Sequence, residues 1–345
     1  MIFKIKNKKI GYKFPPIIIA EISSNHNGNK KKFLELIKSA CLNGADFIKI
    51  QTYEPKDITL KGLTKQFYIR KGIWKNRHLW NLYKKACTPF SWHEDAFKIA
   101  KKYKKTIFST PFSLRAVDLL ESLGCELYKI SSFEITDLKL IRYVASKKKP
   151  IIISTGMASI QEIKKALNEI RRYHNEIIIM HCVSSYPTKL EDINLNRIKK
   201  LKRIYKNCLI GLSDHTNDIT SSIASIPIGV VAIEKHFKIN NKIKTPDSLF
   251  SITPEQLKKL KNDTVNLHKS FNIKKKSAEN ISKKLRRSIY TIKNIKKNHK
   301  LTSENTETLR PFIGICASKY FKVLNKKTKI NIKSGQPIFD YMIKN

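Results

Sequence analysis

Residues 17–51 read IIIAEISSNHNGNKKKFLELIKSACLNGADFIKIQ, and this stretch decides the fold. Two short β-rich apolar runs, Ile17–Glu21 and Phe47–Gln51, flank a segment whose apolar residues recur with helical spacing over Lys31–Asn43. Gly44 follows that segment at the position where glycine commonly ends a helix. The stretch therefore predicts a strand, a helix and a second strand in succession.

Six further runs of the same kind follow and bring the number of predicted strands to eight. They are Ile107–Thr110, Leu127–Ser131, Ile151–Ser154, Ile177–Cys182, Cys208–Leu212 and Gly229–Glu234. Helical spacing returns between them, for example over Leu114–Leu123 and Ile160–Arg171. Strands that alternate with helices in this number predict a closed (β/α)8 TIM barrel over residues 1–270. A doubly wound open sheet is the alternative, but it normally carries GxGxxG after its first strand, where this chain has AEISSNHNG.

Two segments do not fit the simple alternation. Residues Ile69–Trp92 are too many for a plain loop and predict an insertion with its own helix. After a helix at about Pro254–Ser270, the Lys-, Ser- and Asn-rich residues 271–284 predict a linker. The runs RRSIYTIKNI, KYFKVL and KINIKSGQPIFDYMI then predict a small β-rich domain over residues 285–345. A domain of this size is marginal alone, so we expect it to lean on the barrel or on a partner subunit.

The composition is strongly basic, with 69 Lys and Arg against 27 Asp and Glu and a formal net charge of +42. Because the lysines are spread along the whole chain, we interpret most of them as solvated surface and expect no nucleic-acid partner. The functional alternative is a field that attracts anionic substrates or polyanions. No apolar run is long enough to span a bilayer and the basic N-terminus lacks an apolar signal segment, so we expect a cytoplasmic protein with no membrane partner. The six scattered cysteines, without a CxxC pair, are interpreted as free thiols rather than a zinc site.

Polar or ionisable residues follow every predicted strand. In a barrel of this type the active site gathers at the carboxyl ends of the strands. A single such residue could be a helix cap, but all eight strands ending this way favours a functional ring. The ring includes Glu21, Lys49, Gln51, Thr110, Lys129, Ser132, Glu134, Ser154, Ser184, Tyr186, Ser213, His215 and His236.

Lys49 and Lys129 interrupt otherwise apolar strands. A buried ammonium group is costly unless an anion neutralises it. One interpretation is an internal ion pair with Glu21 or Glu134, and another is a lysine that forms a Schiff base. Two lysines surrounded by many hydroxyls favour a third interpretation, a fixed site for the phosphate or carboxylate of a ligand.

His215 and His236 follow neighbouring predicted strands, the seventh and the eighth. Their imidazoles are therefore expected close together, where they could share a divalent metal ion and leave positions open for water and substrate. An isolated histidine at either place would more commonly be a hydrogen-bonded structural group. The flanking motifs SDH and EKH favour the metal site.

Those motifs closely resemble the sialic acid synthase family. GLSDH at Gly211–His215 and IEKHF at Ile233–Phe237 are joined by IIIAEISSNHNG, GADFIKIQTY, YKISSFE, KPIIISTGMAS, SSYPT and PDSLFS in the same order along the chain. The segments RRSIY, ENTETLRP and GQP resemble that family's antifreeze-like SAF domain, so the resemblance covers nearly the whole chain. The segment Ile69–His93 and Ser184 resemble the pseudaminic acid branch of the family more than its N-acetylneuraminic and legionaminic acid branches.

The resemblance implies a reaction in which phosphoenolpyruvate condenses with the open-chain form of an N-acetylated amino sugar. Water adds, phosphate leaves with C–O cleavage, and a nonulosonic acid forms. For the pseudaminic acid branch the sugar is 2,4-diacetamido-2,4,6-trideoxy-L-altrose. The alternative is an N-acetylneuraminic or legionaminic acid synthase that acts on another N-acetylated hexose.

The resemblance also implies roles for single residues. A set of ammonium and hydroxyl groups would bind phosphoenolpyruvate, namely Lys49, Lys129, Ser132, Ser154, Ser184 and Ser213. Thr110 would be a further substrate-binding residue. His215 and His236 would hold Mn²⁺ or Mg²⁺, with Co²⁺ a further candidate. Glu134, Asp247 and Glu21 are the candidate catalytic carboxylates, while Glu21, Gln51 and Tyr186 would also bind the sugar. Arg310 would reach from the SAF domain into the partner's barrel, which implies a domain-swapped homodimer.

Three other functions compete at this point. A different phosphoenolpyruvate-dependent aldol enzyme would need a second phosphate site and would lack the SAF domain. A Schiff-base aldolase would be trapped by borohydride with its substrate. An RNA-binding protein would bind with a steep salt dependence and gives no reason for the ring of polar strand ends.

Overall fold

The computed structural model describes residues 1–62, 64–242, 244–271 and 277–344. The chain divides into two compact units, Met1–Phe271 and Asn272–Asn345. Thirteen strands are described: β1 (Phe3–Ile5), β2 (Lys8–Ile10), β3 (Ile17–Glu21), β4 (Phe47–Thr52), β5 (Thr106–Pro111), β6 (Tyr128–Ile130), β7 (Ile151–Ser154), β8 (Ile177–Cys182), β9 (Leu209–Asp214), β10 (Ala232–Phe237), β11 (Ser251–Ile252), β12 (Ser288–Thr291) and β13 (Thr306–Leu309).

Twelve α-helices are described in the same part of the chain: α1 (Lys30–Leu42), α2 (Pro55–Ile58), α3 (Leu79–Ala86), α4 (His93–Lys102), α5 (Leu114–Ser122), α6 (Leu138–Ser146), α7 (Ile160–Arg171), α8 (Asn196–Ile204), α9 (Thr220–Ser225), α10 (Pro254–Phe271), α11 (Ser277–Lys283) and α12 (Tyr320–Val323). Over the described residues, none of them combines the length and the apolar character that crossing a membrane requires.

The first unit is a closed parallel barrel. Strands β3 to β10 pair side by side in chain order, and β10 pairs with both β9 and β3, which closes the ring. The predicted (β/α)8 TIM barrel is therefore confirmed, and the open sheet is excluded. The strands consist largely of isoleucine and other β-branched or aromatic residues and are buried along their length. Their side chains form one continuous core with the inner faces of the helices.

Local sequence explains where helices begin and end. Asn29 caps α1 by accepting a hydrogen bond from the Lys32 amide at 3.0 Å. Gly44 and Gly124 follow α1 and α5 with φ of 104° and 71°, a backbone conformation that glycine adopts at little cost. Each helix therefore stops shortly before the next strand, as the sequence predicts.

The insertion predicted over Ile69–Trp92 contains α3, so its expected helix is present. Ahead of that helix the chain makes a short turn, in which Asn76 N–H donates to the carbonyl of Ile69 at 2.8 Å and Ile69 N–H donates to the carbonyl of Arg77 at 3.0 Å. Leu82 is the residue that α3 buries. This segment leaves and rejoins the barrel between β4 and β5.

The second unit has a small core of its own, formed by Ile289, Ile295, Leu301, Ile315, Val323, Ile338 and Ile343. Strands β12 and β13 pair antiparallel, and further single bridges join Tyr290 to Pro337 and Ile295 to Ile332. The predicted β-run KYFKVL is wrong, because its central residues form α12. Short apolar runs do not distinguish a strand from one helical turn, and here Val323 turns into the core.

The linker predicted over residues 271–284 includes residues 272–276, which lie outside the described residues. The remainder of that prediction is helical, since α11 covers Ser277–Lys283.

Candidate active site

The carboxyl ends of the barrel strands enclose a pocket of about 410 Å³, which we name the inner pocket. It is lined by Lys49, Gln51, Thr110, Phe112, Lys129, Ser131, Ser132, Phe133, Ser154, Cys182, Tyr186, Ser213, His215, Glu234 and His236. These side chains come from all of the strand ends between β4 and β10. The structure thus brings ten of the predicted site residues to one cavity.

Two lysines and two glutamates form a buried charge network at the base of the inner pocket. Lys49 Nζ lies 2.5 Å from Glu21 Oε2 and 3.5 Å from Glu234 Oε1. Lys129 Nζ lies 2.7 Å from Glu234 Oε2. Lys49 therefore has the partner Glu21 that the sequence suggested, whereas Lys129 pairs with Glu234 rather than with Glu134.

The two glutamates hold their protons very differently. Burial raises the pKa of Glu21 to about 7, and its partner Lys49 offsets only part of that effect. Burial acts in the same direction on Glu234, but Lys129 and Lys49 outweigh it and bring the pKa of Glu234 down to about 2. At neutral pH two ammonium groups thus face one full carboxylate and one partly protonated carboxyl, which leaves room for a further negative charge.

Hydroxyl groups surround the two lysines. Ser213 Oγ donates to Glu234 Oε1 at 3.2 Å, and Lys49 Nζ donates to Thr110 Oγ1 at 3.4 Å. Ser132 Oγ accepts from the Gly156 amide at 3.0 Å. A Cβ at Gly156 would lie only 2.2 Å from Ser184 Oγ, so a glycine here allows the Ser132 and Ser184 hydroxyls to converge.

His215 and His236 lie beside each other at the rim. Their ring centroids are 5.4 Å apart, with 63° between the ring planes. His215 Nδ1 lies 2.9 Å from the carbonyl oxygen of Val183. A carbonyl only accepts, so Nδ1 carries a proton and Nε2 is the nitrogen left for a ligand. Burial lowers the pKa of His215, but the neighbouring Cys182 outweighs it and the pKa is raised above its ordinary value.

His236 has a buried nitrogen that the protein leaves open. Within the described part of the chain, its Nδ1 is buried without a hydrogen-bond partner, and the nearest carboxylate is Asp247 Oδ2 at 3.8 Å. Burial and the positive charges of its neighbours hold the pKa of His236 well below its ordinary value, so the ring is neutral. Asp247 in turn accepts from the amide and the hydroxyl of Ser24, at 3.2 and 2.8 Å. A neutral imidazole with an orphaned nitrogen beside a fixed carboxylate is part of a donor set for a divalent metal ion, although among the described residues no three His, Cys, Asp or Glu side chains are grouped to hold one.

A larger cavity of about 1280 Å³ adjoins the inner pocket, and we name it the outer pocket. The two share Gln51, Phe112, Ser131, Phe133, Tyr186 and His236. Its other polar lining comes from Ser23, Ser24, Glu134 and Asp247. Its apolar lining comes mostly from the insertion and neighbouring loops, through Tyr53, Ile58, Ile69, Trp74, Leu82, Tyr83, Ala86, Pro246 and Phe250.

Glu134 lines the outer pocket with a carboxyl group whose pKa is shifted towards neutral pH. Burial raises its pKa to about 6, against the effect of a hydrogen bond from the Ser131 hydroxyl. Across the pocket, Tyr186 packs against His215 with ring centroids 4.5 Å apart and against Phe250 at 5.2 Å. Gln51 Nε2 donates to Glu21 Oε1 at 3.2 Å and to Ser23 Oγ at 3.1 Å, so it links the two pockets.

Arg310 is the one predicted site residue in the second unit, where it follows β13 and is exposed. Its proposed place at the site stays a prediction.

Sequence reasoning left out several residues that line the site. Glu234 ends the eighth predicted strand but is not among the predicted site residues, although it belongs to the same motif, IEKHF, as His236. The outer wall formed by Ile69, Leu82 and Tyr83 carried no signal beyond its place in the insertion.

Fold and site together define a barrel enzyme with an anion pocket at the carboxyl rim and a small C-terminal unit. The NeuB family matches residues 36–276, and the SAF domain matches residues 286–344. The chain therefore belongs to the NeuB family, and the resemblance drawn from its motifs is confirmed.

Individual relatives agree with this assignment. The chain is 39% identical to pseudaminic acid synthase from Helicobacter pylori over 330 residues, which is 94% of this chain and 96% of that protein. It is 34% identical to N,N'-diacetyllegionaminic acid synthase from Campylobacter jejuni over 329 residues, or 93% and 98% of the two chains. The crystal structure of N-acetylneuraminic acid synthetase from Leptospira borgpetersenii, at 29% identity, superposes with a TM-score of 0.73 over 82% of this chain and 95% of that one.

Proposed function

We propose that this enzyme condenses phosphoenolpyruvate with 2,4-diacetamido-2,4,6-trideoxy-L-altrose and water to give pseudaminic acid and inorganic phosphate. The observation that carries the proposal is the meeting of Lys49, Lys129 and several hydroxyls with the pair His215 and His236 in one buried pocket. Membership of the NeuB family and the similarity to pseudaminic acid synthases support it.

Phosphoenolpyruvate would occupy the inner pocket. Its phosphate and carboxylate need cations and hydrogen-bond donors, and Lys49 and Lys129 supply the cations. The hydroxyls of Thr110, Ser132, Ser154, Ser184 and Ser213 would donate the remaining hydrogen bonds. Because Glu234 keeps both ammonium groups in place, the anion site is formed before the ligand arrives.

His215 and His236 would hold a divalent metal ion, Mn²⁺ or Mg²⁺ with Co²⁺ as a further candidate, next to Asp247. Two imidazole nitrogens favour Mn²⁺ or Co²⁺ over Mg²⁺. A bound cation would supply Lewis-acid chemistry at the sugar's carbonyl oxygen. The chain's own contribution is to keep the His236 ring neutral and to place both rings in the inner pocket, with His236 at its boundary with the outer pocket.

The reaction joins carbon to carbon and then releases phosphate. The electron pair of the C2=C3 bond of phosphoenolpyruvate attacks the aldehyde carbon of the open-chain sugar, and the aldehyde oxygen takes up a proton. Water adds to C2, the C2–O bond to phosphate breaks, and the new hydroxyl at C2 becomes the keto group. Of the two water protons, one balances the new sugar hydroxyl and the other leaves with phosphate.

The sugar would lie in the outer pocket, with Glu21, Gln51 and Tyr186 at its boundary with the inner pocket. Glu134 has a pKa of about 6, so it can both give and take a proton near neutral pH and is our candidate for proton transfer at the sugar oxygen. Asp247, fixed by Ser24, is our candidate for orienting the sugar or the water.

The apolar outer wall supports a diacetamido-trideoxy sugar over the more hydroxylated precursor of N-acetylneuraminic acid, and the similarity to pseudaminic acid synthases favours the pseudaminic acid branch. A trideoxy sugar with two acetamido groups presents several methyl groups and few hydroxyls, and Ile69, Leu82 and Phe250 offer them apolar surface. The alternative, a legionaminic or N-acetylneuraminic acid synthase, is supported by the 34% identity to the Campylobacter legionaminic acid enzyme.

We also propose that the enzyme is a cytoplasmic, domain-swapped homodimer in which Arg310 of each chain binds the sugar in the partner's barrel. Arg310 is flanked by the exposed apolar side chains of Leu309, Phe312 and Ile313. Exposed apolar residues around a cation are what a contact surface for another subunit requires.

Product analysis tests the proposal. The enzyme is incubated with phosphoenolpyruvate, Mn²⁺ and each of the three hexose precursors of pseudaminic, legionaminic and N-acetylneuraminic acid. Phosphate release and product mass are then measured. We expect turnover with the trideoxy-altrose and a mass equal to the sum of the two substrates and water less phosphoric acid. Efficient turnover of another hexose instead would replace the proposed substrate.

A paired substitution tests the metal. His215→Ala with His236→Ala should abolish phosphate release while the circular dichroism spectrum stays that of the parent. Full activity of the parent enzyme in EDTA would remove the metal from the proposal.

A further inference from the structure

Strands β9 and β10 carry matching residues in register. Ser213 lies opposite Glu234, and Asp214 lies opposite Lys235. Ser213 Oγ donates to Glu234 Oε1 at 3.2 Å, so these two side chains face the inner pocket. Because neighbouring residues of a strand point to opposite faces, Asp214 and Lys235 lie on the outer face of the barrel wall. His215 follows Asp214 and His236 follows Lys235, and both histidine side chains face the inner pocket again.

Asp214 and Lys235 are both completely buried on that outer face. Lys235 Nζ lies 3.3 Å from Asp214 Oδ1 and donates to the carbonyl oxygen of Thr216 at 2.5 Å. Asp214 Oδ1 accepts from the amide and the hydroxyl of Thr216, at 2.8 and 2.7 Å. Its other oxygen, Oδ2, accepts from Ser222 of α9 at 2.6 Å.

These contacts enclose the backbone of His215. Asp214 precedes it, Thr216 follows it, and Lys235 ties both of those residues to the strand that carries His236. The carbonyl oxygen of His215 itself accepts from the Thr188 amide at 2.9 Å, which joins the same turn to the loop after β8. A one-residue shift of either strand would break the ion pair and the hydrogen bonds together.

We propose that Asp214 and Lys235 form a positioning pair that fixes the distance and direction of the His215 and His236 rings. The inference rests on the proposed role of those two histidines. A buried ion pair is seldom a net gain in stability over apolar residues of similar size, so orientation is the better account of its presence here. Neither Asp214 nor Lys235 lines either pocket, so they act through the histidines and not on a substrate.

A matched carboxylate at the opposite end of the barrel provides the control. Asp46 directly precedes β4 and its side chain is only 6% exposed, with Lys261 Nζ at 2.6 Å and Lys8 Nζ at 2.7 Å. It accepts from the amide of Ile18 at the start of β3. Asp46→Asn therefore removes a carboxylate charge that pairs with two lysines, which are more exposed than Lys235, without touching the histidine rim.

The experiment compares Asp214→Asn, Ser222→Ala and Asp46→Asn in the full-length enzyme. The ring resonances of His215 and His236 are recorded by NMR without added metal, and Mn²⁺ binding and the melting temperature are measured alongside. We expect the ring resonances to move in Asp214→Asn and, less, in Ser222→Ala. Mn²⁺ affinity should fall roughly tenfold in Asp214→Asn. Asp46→Asn should lower the melting temperature but leave the histidine ring resonances and the Mn²⁺ affinity unchanged.

Steady-state kinetics add a readout that a purely structural pair would not move. We expect Asp214→Asn to lower kcat and leave the KM for phosphoenolpyruvate within about twofold, since the lysine site is untouched. The positioning role would be overturned if the histidine resonances of Asp214→Asn and Ser222→Ala match those of the parent while the melting temperature falls as it does in Asp46→Asn. If the ring resonances shift in Asp214→Asn but the parent enzyme binds no Mn²⁺, the positioning role of the pair stands and the proposed metal site is refuted. If Asp214→Asn fails to fold, Ser222→Ala decides, because it removes one hydrogen bond only.

Discussion

Glu21 is the carboxyl group beside the lysines of the inner pocket whose charge changes near neutral pH. Burial raises its pKa to about 7, so the group is largely neutral below that pH and gains a negative charge above it. That charge would lie beside Lys49, where we place the anionic substrate. The protonation of this one residue therefore sets how strongly the inner pocket attracts an anion.

We predict that phosphoenolpyruvate binding weakens as pH rises through about 7, by roughly tenfold over about two pH units, because ionised Glu21 competes for Lys49. Glu21→Gln should flatten this dependence. The measurement is the dissociation constant for phosphoenolpyruvate across pH in parent and variant. The ligand's own titration is common to both proteins and cancels in the comparison.

Glu162→Gln serves as the control, because Glu162 only caps α7 at the surface. In Glu162→Gln the dissociation constant for phosphoenolpyruvate should change with pH as it does in the parent. An equally steep decline in Glu21→Gln would place the titrating group elsewhere.

The two lysines of the inner pocket illustrate what single residues reveal in a sequence. A charged residue within an apolar strand is visible as a buried charge, and both Lys49 and Lys129 were found in this way. The partner of Lys129 was not, since Glu134 is near in sequence while Glu234 lies across the barrel. Which carboxylate meets which ammonium depends on barrel closure, and no local pattern encodes that distance.

At the scale of elements, the sequence predicts that each barrel strand exists but not where the strand begins and ends. The run Gly229–Glu234 predicted the last strand, but the paired segment is Ala232–Phe237. Val230 and Val231 are buried and apolar, so composition does not distinguish them from the strand that follows. The shift matters because it places His236 within the strand, opposite Glu21 of β3. Hydrogen bonds to neighbouring strands set that position.

The insertion is the element that gives the outer pocket its apolar wall. We predict that Ile69→Ser lowers kcat/KM for the trideoxy-altrose by roughly tenfold, because a hydroxyl replaces apolar surface against the sugar's methyl groups. The kcat/KM for the more hydroxylated precursor of N-acetylneuraminic acid should change less, so the preference for the trideoxy sugar over it narrows. The measurement is kcat/KM for each sugar at saturating phosphoenolpyruvate.

Ile73→Ser is the matched control, since Ile73 belongs to the same insertion but lines a separate surface pocket. It should leave the preference unchanged. An equal loss of kcat/KM for the N-acetylneuraminic acid precursor in Ile69→Ser would mean that the insertion only supports the fold of the rim.

At the scale of the whole molecule, the two units differ in how many apolar side chains they bury. The barrel has a continuous core, whereas the second unit has a small one and exposes Phe321 and Tyr341. A unit of this size gains stability from a partner surface. The small size of the domain predicted over residues 285–345 indicated that it needs a partner surface, but the sequence does not identify that surface.

Complementation distinguishes an exchanged second unit from one that serves its own barrel. One chain carries His236→Ala and keeps Arg310, and the other carries Arg310→Ala and keeps its histidines. In a domain-swapped dimer the mixed pair has one complete site, made from the intact barrel of one chain and the intact Arg310 of the other. Co-expressed chains that pair at random should therefore recover about a quarter of the parental phosphate release, although each variant alone is nearly inactive. Without exchange, the mixed dimer pairs each intact barrel with its own altered arginine, and activity stays at the level of the separate variants. Mixing the purified homodimers without subunit exchange should give no recovery in either case.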